Sequence, residues 1–371
     1  MKKAAIILAA VVLLSVFGVV SAPKVSAEGG VVIAVDLAHG ENPKGLTDVT
    51  YKNKTLTEGM LKVLTEYTFV YFGDAKYEAD LGIKNIGEKI TYEALKNNNV
   101  KILIIGQPTS PLYPDEIEAI KKWLLDGGHV LWIAGDSDYG SGAKAQQFVD
   151  NVLDQLNITN LRVDLASVED PISNAGGKPY RVVAYADPSK DTPKREILVQ
   201  GFKHNGAVLE HGPGVIAWVD GKDGSGDWHP LNDTSRPKMA YILVHSNSSS
   251  DIVENNAPAA NAYQAGDKGK FPIVAAQIIE LEGKKPDVVI VSGETPIGGY
   301  EPMWSSVYYD VPLDGPAVVS NIFKWSVEIT KGLPVTTTSS TTQKSTGGGK
   351  TCGPAALVAL AIVPLLLRRK K

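Results

Sequence analysis

The sequence predicts an α/β fold, a largely parallel sheet that carries a smaller β-rich insertion. Three observations lead there. From Val31 onward, short apolar runs alternate with helix-length patterns at residues 31–35, 56–64, 69–72, 92–95, 102–105, 117–125 and 130–134, the rhythm of βα units whose strands pair in parallel. The same character returns near the end, with an apolar stretch at 273–281, a strand at 288–291 and a helix over 316–329. The composition, 43% hydrophobic and 21% charged over 371 residues, is apolar enough for at least one sizeable core.

The clearest unit begins with the strand Ile102-Leu103-Ile104-Ile105-Gly106. Pro114, Asp115 and Glu116 open a helix, Ile117, Ile120 and Leu124 share one of its faces, and Gly127-Gly128 stop it. Proline, first-turn acids and terminal glycine all agree. The next strand, 130–134, empties into Gly135-Asp136-Ser137-Asp138-Tyr139-Gly140 ahead of a helix over 143–156. Ligands of open α/β sheets sit beyond the carboxyl ends of strands, so this loop is the first place to look for a site. Across 158–270 the pattern is irregular: Gly, Pro, Asp and Lys are scattered through 170–194, and apolar pieces occur at 197–199, 215–219 and 240–244. This stretch is the expected insertion. No period of repeat-protein length is visible.

The two ends carry an address. Lys2 and Lys3, the apolar run 4–20 and the small residues ending Val25-Ser26-Ala27 follow the charge, core and cleavage-site order of a secretory signal, which assigns 1–27 to a signal peptide. An uncleaved anchor is the alternative, since the run is close to the ~17-residue lower limit for a spanning helix. Residues 28–333 form the body. The segment 334–350 is a Ser/Thr/Gly-rich stalk, with nine Ser or Thr among the sixteen residues from Val335 to Lys350, too polar to bury and open to O-glycosylation. In the final segment, 351–371, the apolar stretch 355–367 precedes Arg368, Arg369, Lys370 and Lys371. As a helix it would cover about 20 Å, short of the ~30 Å hydrocarbon core, and its basic end would stay in the cytoplasm. Four sequons, at Asn53, Asn157, Asn232 and Asn247, fit glycosylation outside the cell. The expected location is extracytoplasmic, at the cell surface, with a membrane anchor at the C-terminal segment.

Charge and cysteine usage exclude several classes. The basic ends hold seven of the 37 Lys and Arg and none of the 41 Asp and Glu, so 30 basic residues face 41 acidic ones between them, a charge of −11 against −4 for the whole chain. Such a surface repels phosphate backbones, and no nucleic-acid partner is expected. The single cysteine, Cys352, excludes an intrachain disulfide and any CxxC redox or metal site. No cofactor or metal is called for. The stretch from Asp220 to His229 has a calcium-loop composition without the D-x-D-x-D-G spacing, which leaves an exposed glycine-rich turn.

Two resemblances follow from these residues. Cys352-Gly353-Pro354, the apolar stretch behind it and the basic terminus resemble the CGP-CTERM sorting signal of archaeal surface proteins. That resemblance implies export, removal of the tail and lipid attachment at Cys352, where each buried CH₂ would add roughly 0.8 kcal/mol of anchoring. Asp36-Leu37-Ala38-His39-Gly40 after the first strand, the unit 102–134, Ser292-Gly293-Glu294 after the closing strand, and Asn321 and Trp325 in the last helix resemble the class I glutamine amidotransferase-like fold. The branch most similar is the non-amidotransferase GIFT-type domain, found beside transport systems and in cilia proteins. The resemblance implies a flavodoxin-like sheet and, in active members, a cysteine at the strand-to-helix elbow, because the thiolate is the nucleophile. Here the elbow, 135–140, holds no cysteine, so amidotransferase activity is not expected.

Candidate ligand-binding residues are Asp36, His39, Gly40, Asp136, Ser137, Asp138, His211 and Glu294, placed at strand ends or in the loops after them, except His211, which with Gly212-Pro213-Gly214 precedes an apolar strand. Each has a bland competitor. Asp136 and Asp138 suit turns and helix caps as well as hydroxyl groups or a cation, and His39 and His211 could simply satisfy backbone groups. Ser137 lacks a G-x-S-x-G setting. Tyr300, Trp304, Tyr308, Tyr309 and Trp228 offer stacking faces for carbohydrate or ordinary packing, and Ser246 to Asp251 could rim the same cleft. The leading expectation is a non-catalytic binding module at the membrane surface whose partner is a carbohydrate, a peptide, or an envelope or transporter protein. A surface hydrolase using Ser137 or paired carboxylates among Asp136, Asp138 and Glu294 is the first alternative, and a structural envelope component the second.

Overall fold

The apolar runs become strands and the periodic stretches helices, in a computed structural model that describes residues 30–51, 54–256 and 258–332. The expected signal peptide, stalk and terminal segment, with Cys352, and Asn53 lie outside the described residues. Among the described residues no helix is long and apolar enough to cross a membrane. In chain order, β1 (Val31–Leu37) leads through a hairpin of β2 (Val49–Tyr51) and β3 (Lys54–Thr57) and the one-turn helix α1 (Met60–Val63) to β4 (Tyr67–Gly73). Then come α2 (Lys76–Leu81), β5 (Lys84–Gly87), α3 (Tyr92–Asn97), β6 (Val100–Ile105), α4 (Pro114–Asp126), β7 (Val130–Ala134) and α5 (Gly142–Leu156). The irregular stretch supplies β8 (Leu161–Glu169), β9 (Arg181–Tyr185), α6 (Arg195–Leu198), β10 (Ala207–His211), β11 (Gly214–Val219), β12 (Trp228–Pro230), β13 (Ala240–His245), β14 (Ser250–Val253) and β15 (Lys268–Gly269). The chain closes with β16 (Pro272–Ile279), β17 (Asp287–Ser292), the short pair β18 (Val307–Tyr308) and β19 (Val311–Pro312), and α7 (Gly315–Ile329).

The main sheet has ten strands in the order β10-β9-β13-β16-β17-β7-β6-β1-β4-β5. From β17 to β5 every neighbouring pair is parallel. From β17 to β10 every pair is antiparallel. The mixed α/β architecture expected from the sequence is therefore present, with six strands in the parallel half and four in an antiparallel wing. Three wing strands, β9, β10 and β13, come from the irregular stretch. Its other strands form a second antiparallel sheet, β12-β11-β8-β14-β15. Two local readings change: the 56–64 pattern splits between β3 and α1, and 197–199 falls on the one-turn helix α6 and its cap.

Alternate residues of each strand enter opposite cores. On one face Ile33, Val35, Ile102, Ile104, Val130 and Trp132 pack with Val319, Ile322, Phe323 and Trp325 of α7. On the other, Leu103, Ile105, Leu131 and Ile133 meet Ile117, Ile120 and Leu124 of α4, Val149 and Leu153 of α5, and Leu161 and Val163 of β8. Burial on both faces explains why these strands read as continuous apolar runs.

The two sheets meet in a backbone seam at the carboxyl end of β17. Gly135 N–H donates to Ser292 O at 2.8 Å, Gly293 N–H to Ile273 O at 2.8 Å, and Gly214 N–H to Gly293 O at 2.9 Å. A Cβ on Gly293 would lie 1.9 Å from the carbonyl oxygen of Gly214, closer than any side chain can sit. Gly293→Ala is expected to destabilise the protein by about 1–3 kcal/mol through forced separation of the sheets. Urea denaturation measures it, and an unchanged midpoint would remove the seam from the account.

Candidate functional site

Strand ends from the parallel half and from the antiparallel wing converge on one cleft. β7 runs into Asp136 and Ser137, β17 into Glu294, β6 into Gln107, and β10 into His211 and Gly212. Around a cavity of about 680 Å³ stand Asp136, Ser137, Tyr139, Tyr180, Arg181, His211 and Tyr300, with Gln107, Glu169 and Asn255 among its other wall residues. It lies outside the carboxyl ends of the parallel strands, where the strand order around β17 changes from parallel to antiparallel.

Glu294 is not itself a wall residue but lies directly behind Gln107 and His211. Fully buried, it accepts from Gln107 Nε2 at 2.9 Å, Thr295 N at 2.8 Å and His211 N at 3.0 Å. Burial, the nearby charge of Asp136 and that of Glu210 together push its pKa well above the usual carboxyl range. Asp136 accepts from Ser137 N at 2.7 Å, and burial raises its pKa to about 6. Glu210, in β10, is fully buried, and neither of its carboxyl oxygens has a hydrogen-bond partner among the described residues; burial raises its pKa strongly. Three carboxyl groups thus interact at the root of the cleft, and low solvation favours their neutral forms.

Above these carboxyl groups the walls are aromatic. The His211 ring lies 4.6 Å from the Tyr300 ring at a 31° tilt and meets Tyr180 and Tyr308 edge-on at 5.6 and 5.9 Å. Its Nε2 has no partner among the described residues. Burial first, with Arg181 and Lys44 adding positive charge nearby, drives its pKa down to about 4. Arg181 lies over the Tyr309 ring at 4.0 Å. Tyr139 and Tyr300 are 73% and 69% exposed, leaving large aromatic surfaces at the mouth. Trp304 is different: it is buried, and its indole N–H donates to Glu58 O at 2.7 Å, a core contact. Trp228 also packs against the core.

The remaining candidates, Asp36, His39, Asp138 and the stretch 246–251, do not line this cavity. Asp138 is buried and pins the segment that carries Asn255: it accepts from Ser167 Oγ, Asn255 N, Asn255 Nδ2 and Asn256 N. Ser246 is also buried and donates to Asn247 O, while its Oγ accepts from Phe271 N at 3.0 Å. His39 sits behind the cleft with Nδ1 2.7 Å from Asp36 and Nε2 3.0 Å from Glu116. Burial opposes a charge on this ring, yet the bonds to Asp36 and Glu116 outweigh it and lift the pKa to about 10. Glu116, in the first turn of α4, also accepts from Ile90 N at 2.9 Å and Tyr113 N at 3.0 Å. Those bonds overcome its burial and hold its carboxyl below the usual range. Gly40 has φ +87°, and a Cβ there would strike Thr109 Oγ1 at 1.9 Å. With Glu41 and Asn42 it lines a hollow of about 220 Å³ that also reaches Gln107, Asp136 and Tyr300. Asp136 and Glu294 therefore come together, while Asp36 and His39 stand in a separate buried cluster.

The sequence marks Asp136, Ser137, His211, Glu294 and Tyr300 but not Gln107, Glu169, Tyr180, Arg181 or Asn255. Gln107 follows a recognisable strand and could have been found by the rule that marked Asp136. The others lie in the irregular stretch, beside β8, β9 and β14, none of which the sequence shows as an apolar run. Of the sequons, Asn157 and Asn232 are exposed and Asn247 half-buried.

No family model and no curated protein matches the chain. It is similar to a solved structure, the mmIFT52 N-terminal domain, at 17% identity and a TM-score of 0.46, covering 81% of this chain and 98% of that one.

The His211 environment makes a pH prediction. Its ordinary pKa is 6.5 and its folded value about 4, so between these values the unfolded chain binds more protons. The stability His211 contributes is present above pH 6.5 and lost as the pH falls through 4. In an NMR titration its ring is expected to stay neutral to pH 5, and Tyr300→Ala, which admits water, to move the midpoint toward 6.5. A His211 midpoint near 6.5 in the wild type would refute the desolvated stack.

Proposed function

We propose that the chain is an exported, membrane-tethered cell-surface protein whose body, a flavodoxin-like domain of the amidotransferase-like type, binds carbohydrate without catalysis. The observation that carries this reading is the convergence of exposed tyrosines, a neutral histidine and hydrogen-bonding carboxyl and amide groups around one cavity of about 680 Å³. Aromatic faces pack against the C–H patches of a sugar ring, and Asp136, Gln107 and Asn255 suit its hydroxyl groups. The signal peptide and tail would place this cleft outside the cell, and the stalk would hold it away from the membrane. The chain's one thiol, Cys352, belongs to the tail segment, which leaves the cleft without the nucleophile that amidotransferases use.

Ser137 gives a hydrolase little support. Its Oγ accepts from Tyr139 N at 3.2 Å, and among the described residues no histidine hydrogen-bonds to it. Its φ is not positive either, unlike a strained nucleophile turn. A glycosidase reading draws on one specific feature, the nearness of Asp136 on the cavity wall to the buried Glu294 behind it, since a carboxyl with a raised pKa is a suitable proton donor.

A glycan array probed with the full-length protein, followed by calorimetry on the strongest hit, tests these readings. Tyr300→Ala and Tyr180→Ala are each expected to cost about 1–2 kcal/mol of binding. Absence of any glycan ligand, or full affinity in both variants, would reject the binding reading in favour of a peptide or envelope-protein partner. Release of reducing ends that disappears in Asp136→Asn would replace it with the glycosidase.

A further inference from the structure

The buried cluster around His39 stands behind the cleft, and carbohydrate binding makes no use of it. Ligand atoms of Asp36, His39 and Glu41 lie within 4.8 Å of one another, and all three residues are buried. His39 turns Nδ1 toward Asp36 at 2.7 Å and Nε2 toward Glu116 at 3.0 Å. A histidine that ligates a metal through one nitrogen gives the N–H of the other to a carboxylate or carbonyl, which fixes its tautomer and ring orientation. Glu116, itself anchored by the N–H groups of Ile90 and Tyr113, is placed to be that carboxylate.

Glu41 supplies a separate observation. Its Oε2 accepts from His39 N at 3.0 Å, whereas its Oε1 is buried and has no hydrogen-bond partner among the described residues. An unpartnered carboxyl oxygen in a buried site is costly, and a cation shared with Asp36 and His39 would satisfy it. Glu41 and Gly40 also wall the 220 Å³ hollow, which gives an ion and its water a way in.

We propose that Asp36, His39 and Glu41 bind one divalent cation of the zinc class, with Glu116 as the positioning residue for His39. One imidazole nitrogen and two carboxylates suit zinc or manganese better than calcium, which prefers six or more oxygens. Ligand distances of about 2.0–2.2 Å to zinc spread neighbouring donor atoms to about 3.3 Å, so the His39–Asp36 contact opens as the ion enters. Coordination uses the lone pair of Nδ1. Any proton on Nδ1 passes to solvent, while Nε2 keeps its proton and donates to Glu116. Three protein donors leave a fourth position for water.

Calorimetry on chelator-stripped full-length protein tests this, with zinc, manganese and calcium chlorides as separate titrants. Expected are one zinc per chain, proton release detectable in buffers of differing ionisation enthalpy, and affinity at least tenfold weaker in Glu41→Gln. Glu116→Gln, whose side chain makes no metal bond, is expected to weaken zinc binding about tenfold as well. Circular dichroism checks that each variant folds, and if Glu41→Gln does not, Glu116→Gln decides. No saturable zinc uptake by folded wild type, or equal affinity in the variants that fold, overturns the site. Calcium binding in preference to zinc overturns the metal class. Glycan binding that fails while zinc uptake succeeds leaves this site standing, because the two involve different residues.

Discussion

The close approach of three backbones at the carboxyl end of β17 is the constraint from which the site follows. Gly135, Gly214 and Gly293 are held by hydrogen bonds that tie β7, β11, β16 and β17 together, and the Gly293 to Gly214 contact leaves no room for a side chain between the sheets. Each glycine stands a few residues from a residue of the cleft or directly behind it: Asp136 follows Gly135, His211 and Gly212 precede Gly214, and Glu294 follows Gly293. Because the backbones cannot separate, their neighbouring side chains must share one space. The cleft is thus the consequence of a packing requirement, located where the parallel half of the sheet gives way to its antiparallel wing.

The same requirement sets the electrostatics. Two histidines at loop ends are driven in opposite directions. His39, clasped between Asp36 and Glu116, has its pKa lifted to about 10 despite its burial. His211, packed among tyrosines with Arg181 and Lys44 nearby, is held neutral down to about pH 4. Residue type alone left both equally open to a structural or a functional role; the partner set decides, and it lies far away in sequence. Glu116 is 77 residues from His39, and Tyr300 is remote from His211.

This is also the limit of what the sequence displayed. The parallel half was legible because a strand buried on both faces is a continuous apolar run and a helix such as α4 carries proline and glycine at its two ends. From that, the loop at Asp136 and the strand end at Glu294 are marked, whereas His211 is marked only as preceding the apolar run 215–219. In the antiparallel wing, β13 and β16 show as apolar runs but β9 and β10 do not. β9 and β10 are five residues each, set among Gly, Pro and Asp, and their pairing partners are long-range. With those strands unseen, Tyr180 and Arg181 could not be placed at a strand end, nor Asn255 beside them.

What replaces regular structure in that region is a set of buried aspartates. Asp164 accepts from the N–H groups of Asn261, Ala262 and Tyr263, Asp170 from those of Ile172 and Ser173 and from the Ser249 and Ser250 hydroxyls, and Asp314 from those of Lys203, His204 and Gly206. Asp138 does the same for the segment at Asn255. Loop backbone that cannot pair in a sheet must find acceptors elsewhere, and a carboxylate offers several at once. This changes the meaning of the acidic composition. Ten Asp and Glu residues are buried among the described residues, against one Arg and no Lys. Much of the excess negative charge is therefore internal, spent on loop backbone or held in the carboxyl groups beneath the cleft, and the surface a partner meets is far closer to balance than the residue count implies. On the proposed binding reading, selectivity comes from the shape and chemistry of the cleft, since long-range charge supplies little of it.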